Sequence, residues 1–213
     1  ATIVLPGGTA SFHLVPGKDV RCHFTNEKKG KLIIIKHVIN DNGGTEPARK
    51  FTLTIDGTDV SRRTVRGSEE GTEVSLTSGP YSVDERQVRG YEPSFSEQCS
   101  GTIAPGETRR CIVENNDQAG TLLVIKRVVN NNGGTKQPGD FTITVNGPAV
   151  SPSSFPGSNA GTAVSMNAGG YSVSESGPSG YAGRFSAACN GSIGIGQTKV
   201  CTVTNNDTRP PRR

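Results

Sequence analysis

The chain of 213 residues contains the same unit twice, and this repetition limits the folds that are open to it. One copy opens GKLIIIKHVINDNGGT at Gly30 and the other opens GTLLVIKRVVNNNGGT at Gly120, an offset of 90 residues. Tandem copies of this kind indicate an array of small domains rather than one large core. We predict a first domain over residues 30–117, a second over 118–207, and a basic, proline-rich tail over 208–213.

Residues 1–29 resemble the end of a repeat that lacks its body. Two runs in this segment have strand character, Thr9–Val15 and Asp19–Asn26. Cys22 aligns with the second cysteine of a repeat, but Ala10 stands where the first cysteine would be. Because an isolated strand pair is unstable in water, we expect it to dock on the first domain or to join the sheet edge of another subunit. In the second case Cys22 is buried or bonded between subunits. The alternative is that this segment ends a preceding domain.

Composition favours an all-β fold. The 28 glycines and 13 prolines punctuate short alternating runs, and no window has helical periodicity. No apolar stretch reaches the roughly 18 residues of a membrane helix, and a net charge of +4 with 5% aromatic residues argues against nucleic-acid binding. We predict an antiparallel sandwich of about seven strands per repeat. The runs in the second copy are Leu122–Val129, Phe141–Val145, Ala163–Met166, Tyr171–Glu175, Gly183–Ala187 and Lys199–Asn205.

Each copy contains two cysteines that are 12 positions apart and flank a G-x-I-x-x-G turn. This spacing fits no common zinc site, and no histidine accompanies either pair, so we predict no metal. We predict the disulfides Cys99–Cys111 and Cys189–Cys201, each local to one hairpin. Disulfides are typical of an oxidising compartment, so we expect a secreted protein.

Three polar side chains of each copy fall on the inward face of their predicted strands. In the run Tyr171–Glu175 the glutamate shares the face of the tyrosine, and in Cys201–Asn205 the asparagine shares the face of the cysteine. Lys126 is in phase with Leu122 and Val124, although the opposite face of that strand is also apolar. The two sets are Lys36, Glu85 and Asn115, and Lys126, Glu175 and Asn205.

Buried polar side chains of these types are costly unless they satisfy one another. One chemistry removes the cost: a desolvated lysine becomes a neutral amine and attacks the asparagine side-chain carbonyl, while a protonated carboxyl polarises that carbonyl and shuttles protons. The product is an isopeptide bond, and ammonia is lost. In the alternative interpretation each lysine reaches outward to solvent, each glutamate pairs with a surface arginine and each asparagine caps a turn.

The motifs G-x-L-x-x-x-K, Y-S-V-x-E followed by G-Y, and a closing x-V-x-N occur in both copies. They resemble the collagen-adhesin B-type, or prealbumin-like (transthyretin-like, SpaA-like), domains of bacterial surface proteins and pilins. The resemblance implies two tandem Ig-like sandwiches, each with an isopeptide bond between the lysine of the first strand and the asparagine of the last. Carried over, the bonds join Lys36 to Asn115 with help from Glu85, and Lys126 to Asn205 with help from Glu175. The cysteine pair is a departure from the family pattern.

The segments NDNGGT and NNNGGT have two interpretations, a calcium loop or a hairpin turn. Carboxylates are scarce in them, and Asn-Gly beside a strand favours the turn. The three histidines, His13, His23 and His37, have no counterparts in the second copy, so the repeats share no set of a histidine with a serine or cysteine nucleophile. We therefore predict no enzyme activity and no cofactor.

These observations favour a structural protein: a subunit of a cell-surface stalk or extracellular filament that forms a homopolymer through its N-terminal segment. The alternative is an adhesin module that binds a host or cell-surface ligand through loops at the ends of the sandwich. An adhesive tip should have an aromatic-rich loop or an insertion. The two copies are equal in length and have neither, which favours a spacer.

Overall fold

The computed structural model describes residues 26–209, together with residues 16, 17, 19 and 21. The predicted strand run Thr9–Val15, five of the eight residues of the run Asp19–Asn26 (Cys22 among them) and the tail from residue 210 lie outside the described residues. Within the described part, the chain forms sixteen strands, eight in each repeat, and the helices are single 3-10 turns. None of these helices is long and apolar enough to cross a membrane.

The first repeat is a sandwich of two four-stranded sheets, with the strand orders β4-β1-β8-β6 and β3-β2-β5-β7. Its strands are β1 (Gly30–Ile39), β2 (Thr52–Asp56), β3 (Thr64–Arg66), β4 (Thr72–Leu76), β5 (Gly79–Glu85), β6 (Tyr91–Phe95), β7 (Ser100–Ile103) and β8 (Thr108–Asp117). Its 3-10 turns cover Ala48–Lys50 and Glu97–Cys99.

The second repeat has the same arrangement, with the strand orders β12-β9-β16-β14 and β11-β10-β13-β15. Its strands are β9 (Gly120–Val129), β10 (Thr142–Asn146), β11 (Ser154–Pro156), β12 (Thr162–Met166), β13 (Gly169–Ser176), β14 (Tyr181–Phe185), β15 (Asn190–Ile193) and β16 (Thr198–Asp207). Its 3-10 turns cover Pro138–Asp140 and Ala187–Cys189.

Three details differ from the sequence prediction for the second repeat. The short strands β11 and β15 were not predicted, because each contains only one large hydrophobic residue, Phe155 or Ile193. The predicted run Gly183–Ala187 is displaced: β14 ends at Phe185, because the chain turns into a 3-10 helix at Ala187–Cys189.

One strand pair in each repeat is parallel, whereas its other strand pairs are antiparallel. The first strand β1 runs beside the last strand β8, with Lys36 opposite Val113 and Val38 opposite Asn115. Residues two apart on a strand share a face, so the side chains of Lys36 and Asn115 project to the same side of the sheet. The chain therefore enters and leaves the domain on adjacent strands.

The core of each repeat lies between its two sheets and is small. In the first repeat Leu32 and Ile34 of β1 face Leu53 and Ile55 of β2 across this layer. The structure joins Cys99 to Cys111 and Cys189 to Cys201, and all four cysteines are buried in these cores. Each disulfide ties the 3-10 turn after the sixth strand of the repeat to its last strand. The cysteine pairs are those predicted, but the predicted hairpin is wrong, because the strands that flank the turn between the cysteines lie in different sheets.

The loop between β1 and β2 is organised by a buried carboxylate. Asp117, at the end of β8, accepts hydrogen bonds from the backbone amides of Asp41 (2.9 Å), Asn42 (3.0 Å) and Gly44 (2.6 Å). A β-carbon on Gly44 would lie only 2.7 Å from Oδ2 of Asp117, so this close approach needs glycine. Burial alone would raise the pKa of Asp117, but these hydrogen bonds outweigh it and lower the pKa.

This arrangement corrects the hairpin interpretation of NDNGGT. The strands β1 and β2 lie in different sheets, so the segment is a connection between sheets and not a hairpin turn. Its amides point at a carboxylate of the protein itself, and in the described residues no cluster of His, Cys, Asp or Glu could hold a metal ion. Asp207 holds the loop NNNGGT in the same way, through the amides of Asn131, Asn132 and Gly134.

The loop between β1 and β2, which Asp117 holds, also contacts the second repeat. The carbonyl oxygen of Asn42 accepts a hydrogen bond from the amide of Ala168 (2.8 Å), and that of Asp41 accepts one from Nδ2 of Asn167 (3.0 Å). The inner side of the loop thus binds Asp117 through its amides while the outer side binds the neighbouring repeat through its carbonyls.

Loss of one disulfide should destabilise only its own repeat. We expect the double variant Cys189→Ala/Cys201→Ala to lower the free energy of unfolding of the second repeat by about 2–3 kcal/mol, because the closed loop is short. Denaturant unfolding of the variant and wild type measures the difference. Peptide mapping without reduction should find these two local links, and a link between Cys99 and Cys189 would contradict the modular fold.

Asp117 should make the first repeat sensitive to acid. Its pKa in the folded state is lowered, so its stabilising effect is present above the unfolded value of about 3.9 and is lost as the pH falls below that value. Asp117→Asn should lower the free energy of unfolding at pH 7 by about 1–3 kcal/mol and flatten its dependence on pH below about 4. The exposed Asp56→Asn is the matched control. Denaturant unfolding at several pH values gives the comparison, and identical profiles for the Asp117 variant and wild type would refute this role.

Candidate functional site

The structure brings Lys36, Glu85 and Asn115 together in the interior of the first repeat. Lys36 comes from β1, Asn115 from β8, and Glu85 from the end of β5 in the facing sheet. Nζ of Lys36 donates a hydrogen bond to Oδ1 of Asn115 (2.5 Å) and lies 3.4 Å from Oε2 of Glu85. Nδ2 of Asn115 donates to Oε1 of Glu85 (2.6 Å). All three side chains are buried, and each contacts the other two.

Aromatic rings and backbone carbonyls complete the surroundings of Lys36. Its Nζ lies 4.7 Å from the centre of the Phe51 ring, and Tyr91 packs edge-on against Phe51 at 5.2 Å between ring centres. The carbonyl oxygens of Val113 (3.1 Å) and His37 (3.2 Å) accept further hydrogen bonds from Nζ. The amine is therefore held in position inside an enclosure formed by oxygen atoms and an aromatic ring.

Gly67 is part of this enclosure, and sequence reasoning missed it. A β-carbon at this position would lie 2.6 Å from Cγ of Lys36, closer than side chains approach one another. Gly157 has the same relation to Cγ of Lys126 in the second repeat. The signal in the sequence is the Gly-Ser pair that recurs at the same offset in VRGSEE and FPGSNA.

Burial is the main influence on the charge of the lysine. It lowers the pKa of Lys36, and the negative charge of Glu85 opposes this effect only in part. A lowered pKa increases the fraction of neutral amine, and only the neutral amine is a nucleophile. The site thus combines a buried amine, a carboxamide in contact with it and a carboxyl group that reaches both.

The second repeat assembles the equivalent set, Lys126, Glu175 and Asn205. Nζ of Lys126 lies 2.8 Å from Oε2 of Glu175 and 4.3 Å from the centre of the Phe141 ring. Nδ2 of Asn205 donates to Oε1 of Glu175 (2.6 Å). Burial lowers the pKa of Lys126, and Glu175 opposes the shift. Oδ1 of Asn205 has no hydrogen-bond partner within the described part of the chain.

The structure therefore differs from the alternative interpretation of these residues. The lysine amines are buried rather than extended to solvent, and the glutamates contact a lysine and an asparagine rather than a surface arginine. The two asparagines lie within β8 and β16 and do not cap turns.

Among solved structures, the chain is similar to the TIE protein of Bacillus anthracis, with 20% identity and a TM-score of 0.53 over 84% of this chain. The alignment covers 34% of that protein, so this chain spans about a third of its length. At this identity the likeness supports the fold alone.

Two further solved structures align at lower TM-scores. One is a C-terminal fragment of the pilus adhesin SpaC from Lactobacillus rhamnosus GG, with 16% identity, a TM-score of 0.38 and coverage of 85% of this chain and 99% of the fragment. The other contains two B repeat units of the collagen binding protein of Staphylococcus aureus, with 13% identity, a TM-score of 0.33 and coverage of 88% and 51%.

A comparison with curated protein sequences found no match. A family model described as a prealbumin-like fold domain matches residues 27–113 and again residues 117–208. The two matched segments follow the two repeats and together span most of the chain. On this basis the chain belongs to the SpaA-like family of prealbumin-like fold domains and contains two such domains in tandem.

Proposed function

We propose that this chain is a structural subunit of a secreted, cell-surface stalk or filament, and that an isopeptide bond closes each of its domains. One observation carries the proposal: both repeats bury a lysine of the first strand and an asparagine of the last strand, each in contact with the same glutamate of the facing sheet. In the first repeat the lysine also contacts the asparagine directly. A buried lysine without a reaction partner would be a cost to a small core. Its recurrence in both repeats favours a purpose beyond packing.

The geometry in the first repeat fits a direct amide exchange. Neutral Nζ of Lys36 attacks Cγ of Asn115, the new C–N bond forms, and the bond from Cγ to Nδ2 breaks. The proton that Nζ loses passes through the Glu85 carboxyl to Nδ2, which leaves as ammonia. The two oxygens of Glu85 face the nitrogen that loses a proton and the nitrogen that gains one, at 3.4 Å and 2.6 Å.

The position of this bond suits a protein under tension. The chain enters the first repeat on β1 and leaves it on β8, and the bond joins these two strands across 79 residues of sequence. Force applied to the ends would pass from β1 through the bond to β8 and then into β9. The remaining strands of the sandwich would carry little of the load, and unfolding under force would be slow.

Membership of the SpaA-like family supports a surface role, because the motifs of both repeats resemble domains of bacterial surface proteins and pilins. An adhesin module remains the second candidate, since the loops at the ends of the sandwich are exposed. The two repeats have matching strands and no added element within the described residues, which favours a spacer or polymer subunit.

Intact mass tests the cross-links directly. After reduction, the wild-type chain should be lighter than its sequence by about 34 Da, about 17 Da of ammonia for each bond. Lys36→Arg and Asn205→Ala should each reduce the deficit to about 17 Da, and Glu85→Gln and Glu175→Gln should slow or abolish formation of one bond. Lys31→Arg and Asn206→Ala, on the same strands but outside the sites, are the matched controls. A wild-type mass equal to that of the plain sequence would exclude both bonds.

Assembly is a separate test. We infer that residues 1–29 join subunits, so a chain without them should keep both domains folded and form no polymers. Negative-stain microscopy of the full-length and shortened chains makes the comparison. Polymers that persist without the segment would contradict the inference, as would a Cys22 that reacts freely with thiol reagents in the assembled state.

A further inference from the structure

The two cross-link sites differ at the edge-strand position that pairs with the asparagine, and we propose that this position sets how fast each bond forms. Pro93 on β6 covers the first site, whereas Gly183 on β14 leaves the glutamate and the asparagine of the second site slightly more accessible to water. The residues at 93 and 183 are positioning residues, because they act on the reaction through the glutamate and asparagine beside them. The inference rests on the proposed function.

Strand register puts the two residues at equivalent points. Pro93 pairs with Asn115, and Gly183 pairs with Asn205. A β-carbon on Gly183 would lie 3.2 Å from Oδ1 of Asn205 and 3.7 Å from Oε1 of Glu175. A side chain at this point therefore faces the amide and the carboxyl that take part in the exchange. Glycine provides no atoms there.

The glutamate and the asparagine are slightly more exposed in the second site, beside Gly183, than in the first site, beside Pro93. The Glu85 side chain is 0% exposed and the Glu175 side chain is 8% exposed. Asn115 is 0% exposed, whereas Asn205 is 3% exposed. The two lysines do not differ, because both side chains are 0% exposed. The opening therefore reaches the glutamate and the asparagine and not the amine.

The contacts within the two sites differ as this opening would predict. In the first repeat Nζ of Lys36 is hydrogen-bonded to Oδ1 of Asn115 (2.5 Å) and lies 3.4 Å from Oε2 of Glu85. In the second repeat the ion pair is tighter, at 2.8 Å between Lys126 and Glu175. Water stabilises a charged pair of this kind, and a protonated amine cannot attack a carbonyl. The second site should thus react more slowly.

A refolding time course can compare the two sites in one molecule. Full-length chain recovered unreacted in denaturant is diluted into buffer, stopped with acid at intervals and digested, and the cross-linked peptide of each repeat is quantified. We expect the first bond to form several-fold faster, because Nζ of Lys36 contacts the amide it attacks whereas Nζ of Lys126 is held in the tighter ion pair. Gly183→Pro should accelerate the second bond, and Pro93→Gly should slow the first.

Controls separate positioning from stability. Proline is already accommodated at this point of β6, and Gly183→Ala is a smaller change if the proline variant fails to fold. Ala182→Ser, on the exposed side of β14, should leave the rate unchanged. The pH profile gives a further readout: Gly183→Pro should move the rise in rate of the second bond to lower pH, which a change in stability alone would not do.

Each outcome bears on a different claim. Equal rates in the two wild-type repeats, or a Gly183→Pro or Gly183→Ala variant that folds without altering the rate or the pH profile of the second bond, would overturn this inference and leave the proposed function intact. If neither bond forms in the folded chain, the proposed function fails.

Discussion

The fold of each repeat depends on how it accommodates a lysine in its core. An amine surrounded by Phe51 and the neighbouring strands loses the water that would solvate its charge, and its pKa falls. The glutamate and the asparagine that contact it compensate for this loss. The same contacts align a nucleophile, a carbonyl and a proton carrier. The contacts that compensate for burial of the amine therefore also provide the geometry that the proposed isopeptide reaction needs.

The parallel pairing of the first and last strands makes this arrangement possible. Lys36 and Asn115 are 79 residues apart in sequence, and only adjacent strands bring them into contact. The loop around Asp117 secures the end of β8 close to the site and contacts the second repeat at the same time. The first repeat thus connects its interior to the second repeat through the last residues of β8 and the loop that they hold.

Much of the site could be predicted from the sequence, because strand periodicity gives the face of each residue. Alternation along the strands predicts inward side chains for Glu175 and Asn205. In the structure both side chains are buried, and Glu175 contacts Lys126 and Asn205. The parallel pairing could not be predicted, because periodicity contains no information about which strands are neighbours. The role of Asp117 was missed for a related reason: its partners are backbone amides, which leave no pattern of residue types.

The central claim is that the buried lysine and asparagine of each repeat are covalently joined, and an atomic-resolution crystal structure tests it most directly. The account predicts continuous density between Nζ of Lys36 and Cγ of Asn115 at about 1.33 Å, the length of a planar amide bond, and the same between Lys126 and Asn205. Separate side chains at the non-bonded distance of about 3 Å or more in both repeats would contradict it.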